Sequence, residues 1–129
     1  MFEKIEMMQM ARALGRHVAE RQNIVARNIA NSDTPGYKAR DLEPFETAYH
    51  RLNAAPMRAT DPRHLSVPDW TPAGAQVMSG ETGVSPNGNS VSLEAELLKA
   101  AELKRGHDLS LAIYRSGLDM LRTSIGRRG

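Results

Sequence analysis

Cysteine is absent from the chain. That excludes a disulfide framework, a thiol nucleophile and cysteine-ligated zinc. Aromatic residues make up only 5% of the 129 residues, too few for the aromatic-filled centre of an ordinary globule of this length. No run of about 18 apolar residues occurs, so a membrane-spanning helix is not expected. The first residues, Met1 to Gln9, interleave Glu3, Lys4 and Glu6 with apolar side chains and lack the apolar core of a cleaved secretory signal. His17, His50, His64 and His107 are far apart, and no His-Glu-x-x-His spacing occurs. No serine sits in a Gly-x-Ser-x-Gly elbow, and no Lys follows Gly88 at phosphate-loop spacing. Glu94 and Glu96 stand two apart, on different sides of a helix, where they make a poor acid–base pair. These absences predict a protein that is not an enzyme and that binds no cofactor and no metal.

What is present is helical. The 40% hydrophobic content is mostly Ala, Leu, Met and Val. From Ile5 to Asn31 there is no proline and a single glycine, Gly15. Leu14, Val18, Val25 and Ile29 fall on one face of this helix, with Arg12, Arg16, Glu20 and Arg27 opposite. Pro35 disfavours helix at Thr34 before it, and Thr34-Pro35-Gly36-Tyr37 has the form of a type II turn. The stretch from Lys38 to Ser90 carries six of the seven prolines and has poor periodicity. A short helix is expected over Phe45–Leu52 and a short strand pair near Gln76–Met78; otherwise this part reads as loop.

Helical pattern returns from Val91 to Ile125, with Ser92 as N-cap and Glu94 and Glu96 at the positive helix end. Leu93, Leu97, Ala100, Lys104, His107, Leu111, Tyr114, Leu118, Leu121 and Ile125 follow in alternating steps of four and three. This 3.5-residue repeat predicts a coiled coil, with Lys104 and His107 as polar interruptions of the seam. The expected fold is mainly α. Long N- and C-terminal helices pack as a coiled-coil hairpin joined by an irregular, loop-rich middle region. The expected organisation is 1–34 (N-terminal helix), 35–90 (turn and middle region) and 91–129 (C-terminal helix). Two thin helices bury only part of their apolar stripes on each other, so further burial between copies is expected.

The segment Asn28-Ile29-Ala30-Asn31-Ser32-Asp33-Thr34-Pro35-Gly36-Tyr37 resembles the N-terminal signature of flagellar rod, hook and hook–filament junction proteins. The shared pattern is Asn, apolar, Ala, Asn, two residues, Thr, one residue, Gly and an aromatic, placed at the end of a long helix. The continuation Lys38-Ala39-Arg40-Asp41, the Asn87-Gly88-Asn89-Ser90-Val91 stretch and the short length are similar to the proximal rod branch of the flagellar basal-body rod family. The resemblance implies a structural subunit of the bacterial flagellar basal body, exported by the type III apparatus without a cleaved signal. It implies assembly in the periplasmic rod with copies of itself and other rod proteins, beside the membrane ring and export gate. It also implies that the terminal helices polymerise into a hollow drive shaft. On this reading Asn28, Ile29, Ala30, Asn31, Thr34, Pro35, Gly36 and Tyr37 are assembly determinants, and the Tyr37 hydroxyl stays in water.

A pI near 9.2 and the terminal group Arg122, Arg127 and Arg128 raise an alternative, a helical nucleic-acid-binding or adaptor module. The net charge of only +2 and the lack of interleaved basic and aromatic residues oppose it, and neither nucleic acid nor a small-molecule substrate is expected as a partner. A membrane-surface helix is opposed by the narrow apolar stripe and by acidic residues within it.

Overall fold

A computed structural model describes residues 2–54, 76–79 and 83–126; His64, Arg127 and Arg128 lie outside them. The element order is α1 (Phe2–Ala30), β1 (Arg40–Leu42), α2 (Phe45–Ala54), β2 (Val77–Ser79) and α3 (Leu93–Gly126). α1 begins earlier than its stripe implied, because nothing from Phe2 onward interrupts the helix.

The two long helices form an antiparallel hairpin. Added Cβ atoms mark the contact levels: that of Gly106 meets Val18 Cγ2 at 3.1 Å, that of Gly15 meets Ser110 Oγ at 3.4 Å, and that of Gly117 meets Met8 Cγ at 2.6 Å. Only glycine fits at Gly117 without moving Met8. Val18, Val25 and Leu103 form the apolar centre, with Leu14, Ile29 and Ala100 packed partly buried around them. Burying each of the three contributes about 1.5–3 kcal/mol.

The contact line on α3 runs through Glu96, Leu103, Ser110 and Gly117, all buried and seven residues apart. It is a heptad line, but one residue out of phase with the leucine seam expected above. Leu93, Leu97, Leu111 and Ile125 are exposed in the single chain, at 49%, 56%, 39% and 72%. Tyr114, Leu118 and Leu121 are half-buried. One position on a helix is a rotation of about 100°. The displacement has a steric cause, since Gly106, Ser110 and Gly117 let the two backbones approach more closely than a row of leucines permits.

β1 pairs antiparallel with β2, Asp41 opposite Met78. The strand expected near Gln76 therefore finds its partner far upstream, immediately after the turn. α2 lies on the other side of α1, where Ala48 packs against Ala13 with Phe45 and Tyr49 around them.

Candidate functional site

The end of α1, the turn after it and the strand that follows converge on Asn28, which is fully buried. Its Nδ2 donates to Arg40 O at 2.6 Å and to Glu96 Oε2 at 3.2 Å. Its Oδ1 accepts from Arg40 N at 3.2 Å and from Tyr37 Oη at 3.3 Å. One amide thus holds α1, β1, α3 and the turn. Tyr37 is half-buried as a residue, and its hydroxyl, expected in water, donates to Asn28 within this set.

Asn31 works at the exposed helix end. Its Nδ2 donates to Arg27 O at 2.8 Å and its Oδ1 accepts from Thr34 Oγ1 at 3.2 Å. Tyr37 N donates to Thr34 O at 3.3 Å, and Gly36 has φ +74°, the geometry a type II turn requires at this position. Pro35 is exposed at the turn, while Ile29 packs beside the Val18–Val25–Leu103 centre and Ala30 faces outward.

A second segment laces along this turn. Gly36 N donates to Asn87 O at 3.1 Å, and Ser90 N donates to Tyr37 O at 3.0 Å. Ser90 Oγ accepts from Ala39 N at 2.8 Å. Asn89, itself buried, directs Nδ2 at Asn31 O, Ser32 O and Thr34 O at 2.9, 2.8 and 2.8 Å. Two of these carbonyls, Asn31 O and Thr34 O, also accept from the turn's own Thr34 N and Tyr37 N, so Asn89 adds a second bond to each and reaches Ser32 O between them. Its Oδ1 accepts from Val91 N at 2.8 Å, which fixes the entry to α3. Gly88 (φ +82°) passes so close that an added Cβ would lie 3.4 Å from Gly36 Cα. Ser92 then caps α3, its Oγ accepting from Ala95 N at a long 3.5 Å.

Charged groups complete the cluster. Lys99 Nζ lies 3.0 Å from Glu96 Oε1 and 3.5 Å from Asp41 Oδ2. Arg21 grips Asp41 with two parallel bonds, Nε to Oδ1 at 2.8 Å and Nη2 to Oδ2 at 3.0 Å. Burial opposes the Asp41 charge, but the Arg21 bonds, the Leu42 amide and nearby Lys99 outweigh it and hold the carboxyl below its ordinary range. The same Asp41 contact raises the Arg21 guanidinium further. Next along the chain, the Glu43 carboxylate accepts from Gln76 N at 2.8 Å and from Arg51, and both hold it low. His17 Nε2 lies 2.7 Å from Glu43 O. A carbonyl only accepts, so that nitrogen carries the proton.

The arrangement is mechanical. It joins the end of one long helix to the start of the other. Among the described residues, no group of three or more His, Cys, Asp or Glu is placed to hold a metal ion. No described helix is long and apolar enough to cross a membrane. Sequence patterning singled out Asn28 and Asn31 but missed Asn89, Ser90, Glu96 and the Arg21–Asp41 pair. Asn-Gly-Asn before a helix was the available signal for the first two. Glu96, assigned to the helix-end charge, is instead the first residue of the buried heptad.

A family model described as "Flagella basal body rod protein" matches residues 18–38, the second half of α1 and the turn with Asn28 and Tyr37. The chain is 30% identical to the flagellar basal body rod protein FlgB of Agrobacterium fabrum, over 97% of this chain and 96% of that one. It is 32% identical to FlgB of Bacillus subtilis over 64% of each chain. Against FlgB of Escherichia coli it is 29% identical, over 73% of this chain and 74% of the other.

Proposed function

The chain belongs to the FlgB family of flagellar basal body rod proteins, structural components and not an enzyme family, and from that premise we propose that it polymerises through its two terminal helices into the proximal part of a hollow drive shaft. It reaches that place through the flagellar type III apparatus, without a cleaved signal, and assembles in the periplasm. Its partners are copies of itself, other rod proteins and the membrane-ring and export-gate side of the basal body. The terminal helices, 1–34 and 91–129, line the inner part of the tube.

One observation carries this proposal: apart from Leu103, the α3 side of the hairpin seam uses small and polar residues, and several leucines of that helix are left outside. Leu93, Leu97, Leu98 and Leu109 are 49%, 56%, 65% and 55% exposed along a helix whose contact line includes Glu96, Ser110 and Gly117. An apolar surface of this extent on a thin hairpin favours association. The clasp around Asn28 supports a second part of the proposal, that Asn28 to Tyr37 acts in assembly by setting the angle between the helix ends. The nucleic-acid alternative draws no comparable support, since Arg21, Arg51 and Lys99 are engaged by carboxylates of their own chain.

Deleting the gene in a flagellated host, restoring it with a labelled copy and imaging purified basal bodies tests the proposal. Loss of swimming, with label at the membrane-proximal end of the rod, is the expected result. Normal rods in the deletion strain refute it.

A further inference from the structure

Two surfaces of the hairpin are opposite in charge and similar in axial extent. The first is a groove of about 400 Å³ along the α1–α3 seam. Ala11, Gly15 and Ser110 form its floor, Leu111 and Tyr114 one wall, and Arg12 and Arg16 stand on the other side. The second is a ridge on the first turns of α3. Leu97 and Leu98 are 56% and 65% exposed, and Ala101, Glu94 and Glu102 are exposed beside them. Relative to Leu103, which faces α1, Leu98 and Ala101 point to the far side of the helix, at about 100° per residue. Groove and ridge therefore face different directions and cannot meet within one chain.

We propose that the ridge of one copy seats in the groove of the next, with Glu94 and Glu102 flanking Arg16 and Arg12. The spacing supports the match. Placing Leu98 at the level of Ser110 shifts one copy along the other by 12 residues, or about 18 Å at 1.5 Å per residue. On that shift Glu94 comes level with Gly106, which packs on Val18, and Glu102 comes level with Tyr114. Arg16 and Arg12 lie between these levels, each about 3 Å from its glutamate along the axis, within reach of both long side chains. Because ridge and groove are different surfaces, the contact is head-to-tail. Repetition extends it as an open helical array, not a closed dimer. The inference rests on self-association of the terminal helices and names the surfaces that perform it.

The test uses the purified full-length chain, whose lack of native cysteine makes engineered thiols unambiguous. Leu98→Cys and Leu111→Cys proteins are mixed and mildly oxidised. The mixture is expected to give at least threefold more disulfide-linked dimer than either protein alone, or than Leu98→Cys mixed with Asp108→Cys on the back of α3. Arg12→Glu introduced beside Leu111→Cys should remove that excess, Arg12→Lys should keep it, and Glu102→Arg beside Leu98→Cys should restore it to the Arg12→Glu mixture. No excess over the Asp108→Cys control, or no recovery in the reversed-charge pair, overturns the pairing. If the pairing fails while the deletion strain stops swimming, the rod assignment stands without it. If the pairing holds while the deletion strain makes normal rods, the rod assignment falls.

Discussion

Asn28 is where a single atom change should be felt most. In Asn28→Ala the bond to the buried Glu96 carboxylate is lost, worth about 1.5–3 kcal/mol for a charged acceptor. Three neutral bonds to Arg40 and Tyr37 go with it, each worth about 0.5–1.5 kcal/mol. Arg40 is exposed and Tyr37 half-buried, so water replaces part of these, and the net loss should be roughly 3–4 kcal/mol. Asn28→Asp keeps the shape but turns the donor into an acceptor. It then faces Arg40 O, 2.6 Å from Nδ2 in the native chain, and the Glu96 carboxylate at 3.2 Å. Two carboxylates so close cannot both ionise without a large cost, so the pair retains a proton in the folded state. The folded pKa of the pair is raised, and the penalty is greatest above it and relieved as pH falls. The expected order at pH 7 is therefore native, then Asn28→Ala, then Asn28→Asp, with the gap between the two variants narrowing toward pH 5. Urea unfolding followed by circular dichroism at both pH values reads this directly. An Asn28→Asp protein as stable as Asn28→Ala at pH 7, or an Asn28→Ala loss below about 1 kcal/mol, refutes the account of Asn28 as the central tie.

Three further outcomes follow from the same geometry. Gly88→Ala should cost about 1–3 kcal/mol, because φ is +82° and the new methyl would sit in contact with Gly36 with little room to relax; Gly36→Val, with φ +74° and open space around it, carries the backbone penalty alone. Thermal melts of the two single variants and the double variant measure both. The low pKa of Asp41 in the folded chain stabilises the protein above the ordinary carboxylate range of about 3.9, and that contribution disappears as pH falls through the folded value. Asp41→Asn should accordingly flatten the acid limb of a stability-against-pH curve. Leu103→Asp, in the buried centre, should unfold the hairpin, whereas Leu97→Asp should change monomer stability by no more than about 0.5 kcal/mol yet abolish swimming.

The long helices, the short one and the turn were legible because each rests on local chemistry. Pro35 ends α1, Gly36 supplies the positive φ, and the apolar spacing from Phe45 gives α2. The partner of β2 was not legible, since strand pairing across 37 positions leaves no mark in either three-residue segment. The α3 seam is where leucine spacing and the single-chain contact line diverge. Leucine spacing carried a clear 3.5-residue repeat, yet the line that meets α1 is its neighbour, through Glu96, Leu103, Ser110 and Gly117. Hydrophobicity marks which face avoids water, whereas the closeness of two backbones is set by the absence of side chains, and Gly106 and Gly117 register weakly in any apolar count.

The same distinction explains why only half of the clasp could be read. Asn28 and Asn31 stand out because asparagine is a poor interior residue for a helix and two of them close α1. Asn89 and Ser90 act through the carbonyls of Asn31, Ser32 and Thr34 and the amide of Ala39, more than 50 positions away. A side chain that bonds only to backbone places no demand on the identity of its partner residues, so nothing upstream advertises the contact. Glu96 is legible only once the hairpin exists, because a carboxylate buried at 0% exposure is tolerable only with Asn28 and Lys99 already beside it. The two long helix ends are tied through each other: Asn89, before α3, bonds carbonyls of the turn that follows α1, and the first buried residue of α3 bonds Asn28 near the end of α1. Closing the hairpin makes both ties at once, and the leucines it leaves in water are then held on a rigid frame at fixed positions, which is what a repeated contact between identical subunits requires.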